Sequence, residues 1–220
     1  MSETAAQAGA WTALLAWVQR PAFMLGGSPA SWLELVAFAL ALAMVAANLR
    51  VNPAGWPLAI LSSLLYAAVF FDSRLYGEAA LQFFFIAVAF WGWWQWLRGT
   101  GGDGAALRVR QLSTPQRMAT ALATLAAWPL LGLLLDLATD SDVPYLDALP
   151  TVASVTGQLL LGRKFVDNWA VWLAVNVFSV GLFAYKGLWL TVLLYAVFAV
   201  LSVVGWRAWQ RLAERGAVRA

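Results

Sequence analysis

The sequence predicts an all-α integral membrane protein of seven transmembrane helices in a three-plus-one-plus-three parallel repeat, preceded by a short interfacial N-terminal helix. Three observations predict it. The first is composition: of 220 residues, 62% are hydrophobic and 11% charged, and the mean hydropathy is +0.73. An ordinary soluble domain carries about 25% charged residues, and a soluble chain of this size has too little interior to hide so much apolar surface. The second is a series of apolar stretches of spanning length. The third is a resemblance between the two halves of the chain.

The elements follow in order. The opening MSETAAQAGAW has no basic region before its first apolar stretch, so it is a poor cleavable signal peptide. Residues 11–25 put Trp11, Leu14, Leu15 and Val18 on one helical face. Gln19, Arg20 and Pro21 interrupt before a span is complete, so this segment is expected to lie as a helix in the membrane interface. Spans of the required length then fall near 32–49, 55–71, 75–97, 117–138, 145–162, 168–185 and 188–206. Short loops make most neighbours antiparallel hairpins. The one longer connection, RGTGGDGAALRVRQLSTP, separates the halves. The expected units are an interfacial segment (1–30), a first three-helix bundle (31–98), a basic loop with a linking fourth helix (99–140), a second bundle (141–211) and a tail (212–220).

Charge orients these spans. Arg50, Arg98, Arg108, Arg110, Arg117, Arg163, Lys164, Arg207, Arg211, Arg215 and Arg219 share one side, which holds 11 of the 14 basic residues. Arg20, Arg74 and Lys186 lie on the other. The positive-inside rule makes the rich side cytoplasmic, with the N-terminus outside and the C-terminus inside. The net charge of +3 is thereby a property of loops and does not point to nucleic acid. The chain has no cysteine and no histidine, which excludes disulfides and thiol chemistry and removes the commonest metal ligand. Neither a phosphate-cradling loop nor a metalloprotease helix occurs, so no enzyme, metal or cofactor is expected.

The repeat is read from NPAGWPLAILSSLLYAAVFF at 52–71 against NWAVWLAVNVFSVGLFAY from 168, an offset of 116 that pairs Asn52 with Asn168 and Trp56 with Trp172. Further on the offset becomes 113, pairing Trp93 with Trp206 and Trp96 with Trp209. One linking span between the halves leaves both in the same orientation. This arrangement is typical of small transporters whose substrate sits between two triple-helix bundles.

Candidate site residues are polar or aromatic groups inside spans. Asn168, Trp172 and Asn176 stand four residues apart, on one face of a helix, and such a stripe is costly against lipid. Gln82, Gln158, Tyr66 and Tyr195 carry amides and hydroxyls that need partners at depth. Trp93 and Trp96 recur in both halves. The α-helical stripe and the glutamines have a plainer role as interhelical glue, Trp93 and Trp96 one in the aromatic belt, and the tyrosines one as partners of a neighbouring backbone. For Trp91 and Trp94 beside Arg98, the aromatic belt is the leading reading. Arg163 and Lys164 read as an anchor, and Glu34 and Glu78 as groups at an outer vestibule.

GWPLAILSSLLY, LYGEAALQFFF followed by GWWQW, and GRKFVDNWAVWLAVNVFSVGLFAYKG together resemble the PnuC family of vitamin transporters over residues 31–210. The resemblance implies a SWEET-like fold, a homotrimer and a multi-pass location in a bacterial inner (plasma) membrane, in contact with lipid. It implies facilitated diffusion of nicotinamide riboside, trapped by cytoplasmic phosphorylation. Some relatives carry thiamine or riboflavin instead. The chain departs from the family pattern at Ser62, where many riboside carriers have Asn, and at Asp167, where Glu is usual; Ser62 thereby bears on substrate choice. Indole faces attract a flat cation, and Asn and Gln amides suit a carboxamide and ribose hydroxyls. With no histidine and no acid at mid-depth, the expected mechanism is uniport by alternating access. A scaffold without transport activity is the rival class.

Overall fold

In the computed structural model, residues 20–25, 28–72, 76–102, 104–139, 143–185 and 189–217 are described. They form α1 (Trp32–Leu49), α2 (Gly55–Asp72), α3 (Tyr76–Arg98), α4 (Thr114–Ala138), α5 (Pro144–Gly162), α6 (Asn168–Tyr185) and α7 (Trp189–Ala217). These seven helices stand where the apolar stretches predicted spans. Thr114–Ala138, Asn168–Tyr185 and Val192–Gly216 are each long and apolar enough to cross a membrane, and Leu35–Leu49 and Gly55–Ala68 are shorter apolar helices. α5 is more polar because it packs on α3, α4 and α6 and shows less of itself to lipid.

The start of the chain differs from expectation. Pro21–Leu25 (β1) pairs antiparallel with Ser28–Ser31 (β2) instead of continuing a helix, and the earlier part of the expected helix lies outside the described residues. Pro21 lacks an N–H and cannot join a helical ladder, and Pro29 restricts the residue before it to extended conformations.

Consecutive helices pack against each other within 32–98 and within 114–217, and between these groups α3 packs on α5 and α1 on α7. A backbone turn occurs twice, at the second of the two offsets read from the sequence. Val51 and Lys164, related by that offset, both take left-handed φ values, 53° and 57°. Such a conformation is costly for residues other than glycine, so its recurrence marks the same turn built twice. The bonds around it recur in the same register: Val51 N–H donates to Asn48 O and Lys164 N–H to Leu161 O, at 3.1 and 3.0 Å. Gly55 N–H donates to Asn52 O and Asn168 N–H to Phe165 O, at 3.1 and 3.2 Å.

This corrects the offset of 116. Asn52 corresponds to Phe165, Trp56 to Trp169, and Asn168 to Gly55. Asn52 is exposed, and its Oδ1 accepts the Ala54 N–H at 2.9 Å.

Four tryptophans seal the arginine-rich end. Trp56 meets Trp96 edge-on at 5.5 Å, Trp96 lies 6.0 Å from Trp209, and Trp209 meets Trp169 edge-on at 5.7 Å. All four are at most 8% exposed. Trp96 Nε1–H donates to Leu161 O and Trp209 Nε1–H to Asn48 O, each at 3.0 Å. The donors of these two bonds are equivalent positions of the repeat, and so are the acceptors. Each bond reaches from one group of helices into the other. Glycine makes room for the remaining rings. A Cβ on Gly92 would lie 2.2 Å from Trp56, and one on Gly205 2.5 Å from Trp169.

The long connection is stitched to the α5–α6 turn. Arg110 N–H donates to Lys164 O, Val166 N–H to Arg110 O, and Leu112 N–H to Asp167 Oδ2 at 2.8 Å. Arg117 pairs with Asp167 at 2.6 Å.

Candidate functional site

A cavity of about 140 Å³ lies between α1, α5, α6 and α7. Its walls are Met44, Val45 and Asn48 of α1, Gln158 and Leu161 of α5, Asn168, Trp169, Trp172 and Asn176 of α6, and Tyr195, Phe198 and Ser202 of α7. The α6 stripe therefore faces inward as a single wall. The Trp172 ring lies against Gly157, where a Cβ would come within 3.0 Å of it, so glycine lets the indole approach α5 closely. Tyr195 stacks on Phe183 at 5.2 Å and meets Phe198 edge-on at 6.1 Å.

The polar groups are tightly held. Asn168 is fully buried and donates from Nδ2 to Phe165 O at 2.6 Å. Asn176 donates from Nδ2 to Ser202 Oγ at 3.1 Å, and Ser202 donates to Phe198 O at 2.8 Å. Gln158 is 8% exposed. Among the described residues, Asn48 Oδ1, Asn168 Oδ1 and Trp169 Nε1 are buried without a hydrogen-bond partner. Trp56 Nε1, outside the cavity, is in the same state, and leaving such a group unpaired costs roughly 1–3 kcal/mol. The walls hold aromatic side chains, amides and the hydroxyls of Tyr195 and Ser202, and among the described residues no charged side chain.

Asn168, Trp172, Asn176, Gln158 and Tyr195 are thus brought together as the sequence suggested. Ser62 is not: it is buried between α1 and α2, where its hydroxyl donates to Ala37 O at 3.2 Å. Trp96 belongs to the tryptophan cluster, and Trp93 packs against that cluster. Tyr66 and Gln82 are half-buried and do not line the cavity.

Trp91 is not a belt residue. Its ring fills the space over Gly162 of α5, where a Cβ would lie 2.4 Å away. Trp94 is 55% exposed, as a belt residue is. Lys164 is no free anchor: its Nζ donates to Leu107 O at 3.1 Å and lies 5.2 Å from the Trp96 ring centroid. Burial lowers its pKa from the ordinary 10.5. The side chains of Glu34 and Glu78 lie outside the described residues.

Asn48, Trp169 and Ser202 were missed. Ser202 sits one turn after Phe198 in an apolar run, with no sequence signal of its own. Asn48 did have one, as an amide at the end of a span two residues before Arg50.

An all-helical membrane protein that encloses a small polar, aromatic-lined cavity between two groups of helices has the build of a carrier for a small organic solute. The chain belongs to the nicotinamide mononucleotide transporter family, whose profile matches residues 31–211. It is 27% identical over 216 residues to the nicotinamide riboside transporter PnuC of Escherichia coli (strain K12), covering 87% of this chain and 90% of that one. It is 30% identical over 199 residues to the riboflavin/roseoflavin transporter RibM of Streptomyces davaonensis, covering 88% and 91%. A crystal structure of the vitamin B3 transporter PnuC superposes with a TM-score of 0.70 at 25% identity, covering 84% of this chain and 83% of that one.

Proposed function

We propose that the protein carries nicotinamide riboside across the bacterial inner membrane by facilitated diffusion, with the N-terminus outside and the arginine-rich end in the cytoplasm. The observation that carries this reading is the cavity, where the Asn176 and Gln158 amides stand with indole and phenol side chains among the lining residues. A pyridinium over Trp172 gains roughly 0.5–2 kcal/mol from cation–π attraction, and the amides match a carboxamide and ribose hydroxyls. A mononucleotide is disfavoured, because its phosphate would lie in these walls without a cation to balance it. The likeness to PnuC of Escherichia coli supports the same cargo. The likeness to RibM makes riboflavin the second reading.

The cavity is below the roughly 300–1,000 Å³ of ordinary ligand sites, so binding entails separation of its walls. We take the three-plus-one-plus-three repeat, SWEET-like in arrangement, as the device for this. The reciprocal α3–α5 and α1–α7 contacts and the left-handed turn built once in each half support that reading. Uniport fits a chain without histidine, since no such group is on hand to carry a coupling proton. A homotrimer belongs to the same reading: α4 packs chiefly on α5 among the described helices and exposes Leu122, Leu130 and Leu137, a face open to lipid or to a neighbouring copy.

The test is a fluorescence titration of the purified protein with nicotinamide riboside, its mononucleotide, thiamine and riboflavin, paired with uptake into liposomes. Saturable binding of the riboside, lost in Asn176→Leu, is the expected result. Binding of riboflavin or thiamine alone would overturn the cargo, and concentrative uptake driven by a pH or sodium gradient alone would overturn the mechanism.

A further inference from the structure

Ser202 holds Asn176 by one of the two Nδ2 hydrogens, which fixes where the carbonyl end of the amide points. The Ser202 hydroxyl has a single hydrogen and donates it to Phe198 O, one turn back on α7, at 2.8 Å. Toward Asn176 Nδ2, 3.1 Å away, the same oxygen has only lone pairs left and must accept. That removes the usual ambiguity over which way an asparagine amide points. Asn176 is 4% and Ser202 2% exposed, and both line the cavity.

Asn168 is held in the same sense. Its Nδ2 donates to a backbone carbonyl, which can only accept, and its Oδ1 has no partner among the described residues. Asn168 is fully buried, so of the two amide oxygens that of Asn176 is the one left for a ligand.

We propose that Ser202 is a positioning residue that fixes Asn176 as a hydrogen-bond acceptor. Through it the site selects a cargo bearing an N–H donor, a carboxamide, over the same riboside bearing a carboxylate. This rests on the reading of the cargo as nicotinamide riboside. Ribose hydroxyls both donate and accept, so the orientation of Asn176 means little to them. A carboxylate has no hydrogen to give, and its oxygens would face Asn176 Oδ1 across a desolvated contact.

The experiment titrates the full-length protein with nicotinamide riboside and nicotinic acid riboside, which differ only at that group, in wild type, Ser202→Ala and Ser202→Thr. Sites built around one hydrogen bond reject analogues that lack it strongly, so wild type should prefer the amide by at least about 100-fold. Ser202→Ala frees the Asn176 amide to turn over and should narrow the preference below about 10-fold. Ser202→Thr keeps the hydroxyl and should restore it, which a merely space-filling role would not require. Ser202→Cys, close in shape but a weak acceptor, should narrow the preference as well and covers the case in which the alanine variant does not fold. Equal binding of the two ribosides by wild type, or an undiminished preference in Ser202→Ala, overturns the proposal. Wild type that binds riboflavin and neither riboside overturns the cargo reading, and the selectivity claim falls with it.

Discussion

Replacing Trp209 with phenylalanine removes one hydrogen bond and part of one ring from the place where the two groups of helices meet. Trp209 is fully buried and donates to Asn48 O at 3.0 Å. That carbonyl also accepts the Val51 N–H at 3.1 Å, so the substitution does not orphan it. The bond itself contributes about 1 kcal/mol. The smaller ring leaves a void in a site that cannot collapse easily, adding roughly 1–2 kcal/mol. Contact with Trp169 survives only in part. The expected loss is about 2–3 kcal/mol, read by SDS titration in mixed micelles followed by circular dichroism. Trp94→Phe is the control; at 55% exposed it should lose less than about 0.5 kcal/mol. Trp96→Phe should match Trp209→Phe, because its bond to Leu161 O is the same contact in the other half. If Trp209→Phe were indistinguishable from Trp94→Phe, the reciprocal clasp would not be what joins the halves.

Three further outcomes are expected from the same titration. Gly205→Ala drives a Cβ to 2.5 Å from the Trp169 ring and should cost roughly 1–3 kcal/mol, whereas Gly216→Ala meets no atom within 4 Å and should be neutral or slightly stabilising. Asp167→Ala should lose more than Arg117→Ala. Arg117 is 51% exposed and its ion pair is worth at most about 1 kcal/mol, while Asp167 also holds the N–H of buried Leu112. Equal losses would refute the stitching role of Asp167. Lys164 gives a pH dependence: burial lowers its pKa, so the unfolded chain holds the proton more tightly and the folded protein is penalised at neutral pH. Relative to Lys164→Met, wild type should gain stability as pH rises from neutral toward 10.5, and a flat difference would contradict the shift.

Helix placement was legible because it depends on local hydrophobicity. α1 and α6 end where the apolar stretches end, while α7 runs on to Ala217, past the expected 206, because Arg207, Arg211 and Arg215 do not interrupt a helix that has left the lipid. The hairpin at Pro21–Ser31 was missed, since strand pairing depends on a partner that helical periodicity cannot reveal. The repeat was seen in the wrong register at its start. Matching Asn52 to Asn168 followed side-chain identity, whereas what the fold repeats is a backbone turn, with glycine at one copy and asparagine at the other.

The stripe of Asn168, Trp172 and Asn176 was legible because helical spacing puts residues four apart on one face, and lipid makes such a face turn inward. Ser62 was singled out through the family resemblance and Trp93 and Trp96 through their recurrence in both halves, but their bonds and packing partners come from other helices, which no local spacing encodes.

By itself the sequence determined membrane residence, seven helices, a basic side and one wall of the cavity, since each follows from hydrophobicity, charge or periodicity within a single segment. Only the tertiary structure decided the register of the repeat, the tryptophan clasp, the inclusion of Asn48 and Ser202 in the cavity, and the direction in which the Asn176 amide points. Those depend on hydrogen bonds and ring contacts between residues far apart in the chain, which exist only once the helices have packed.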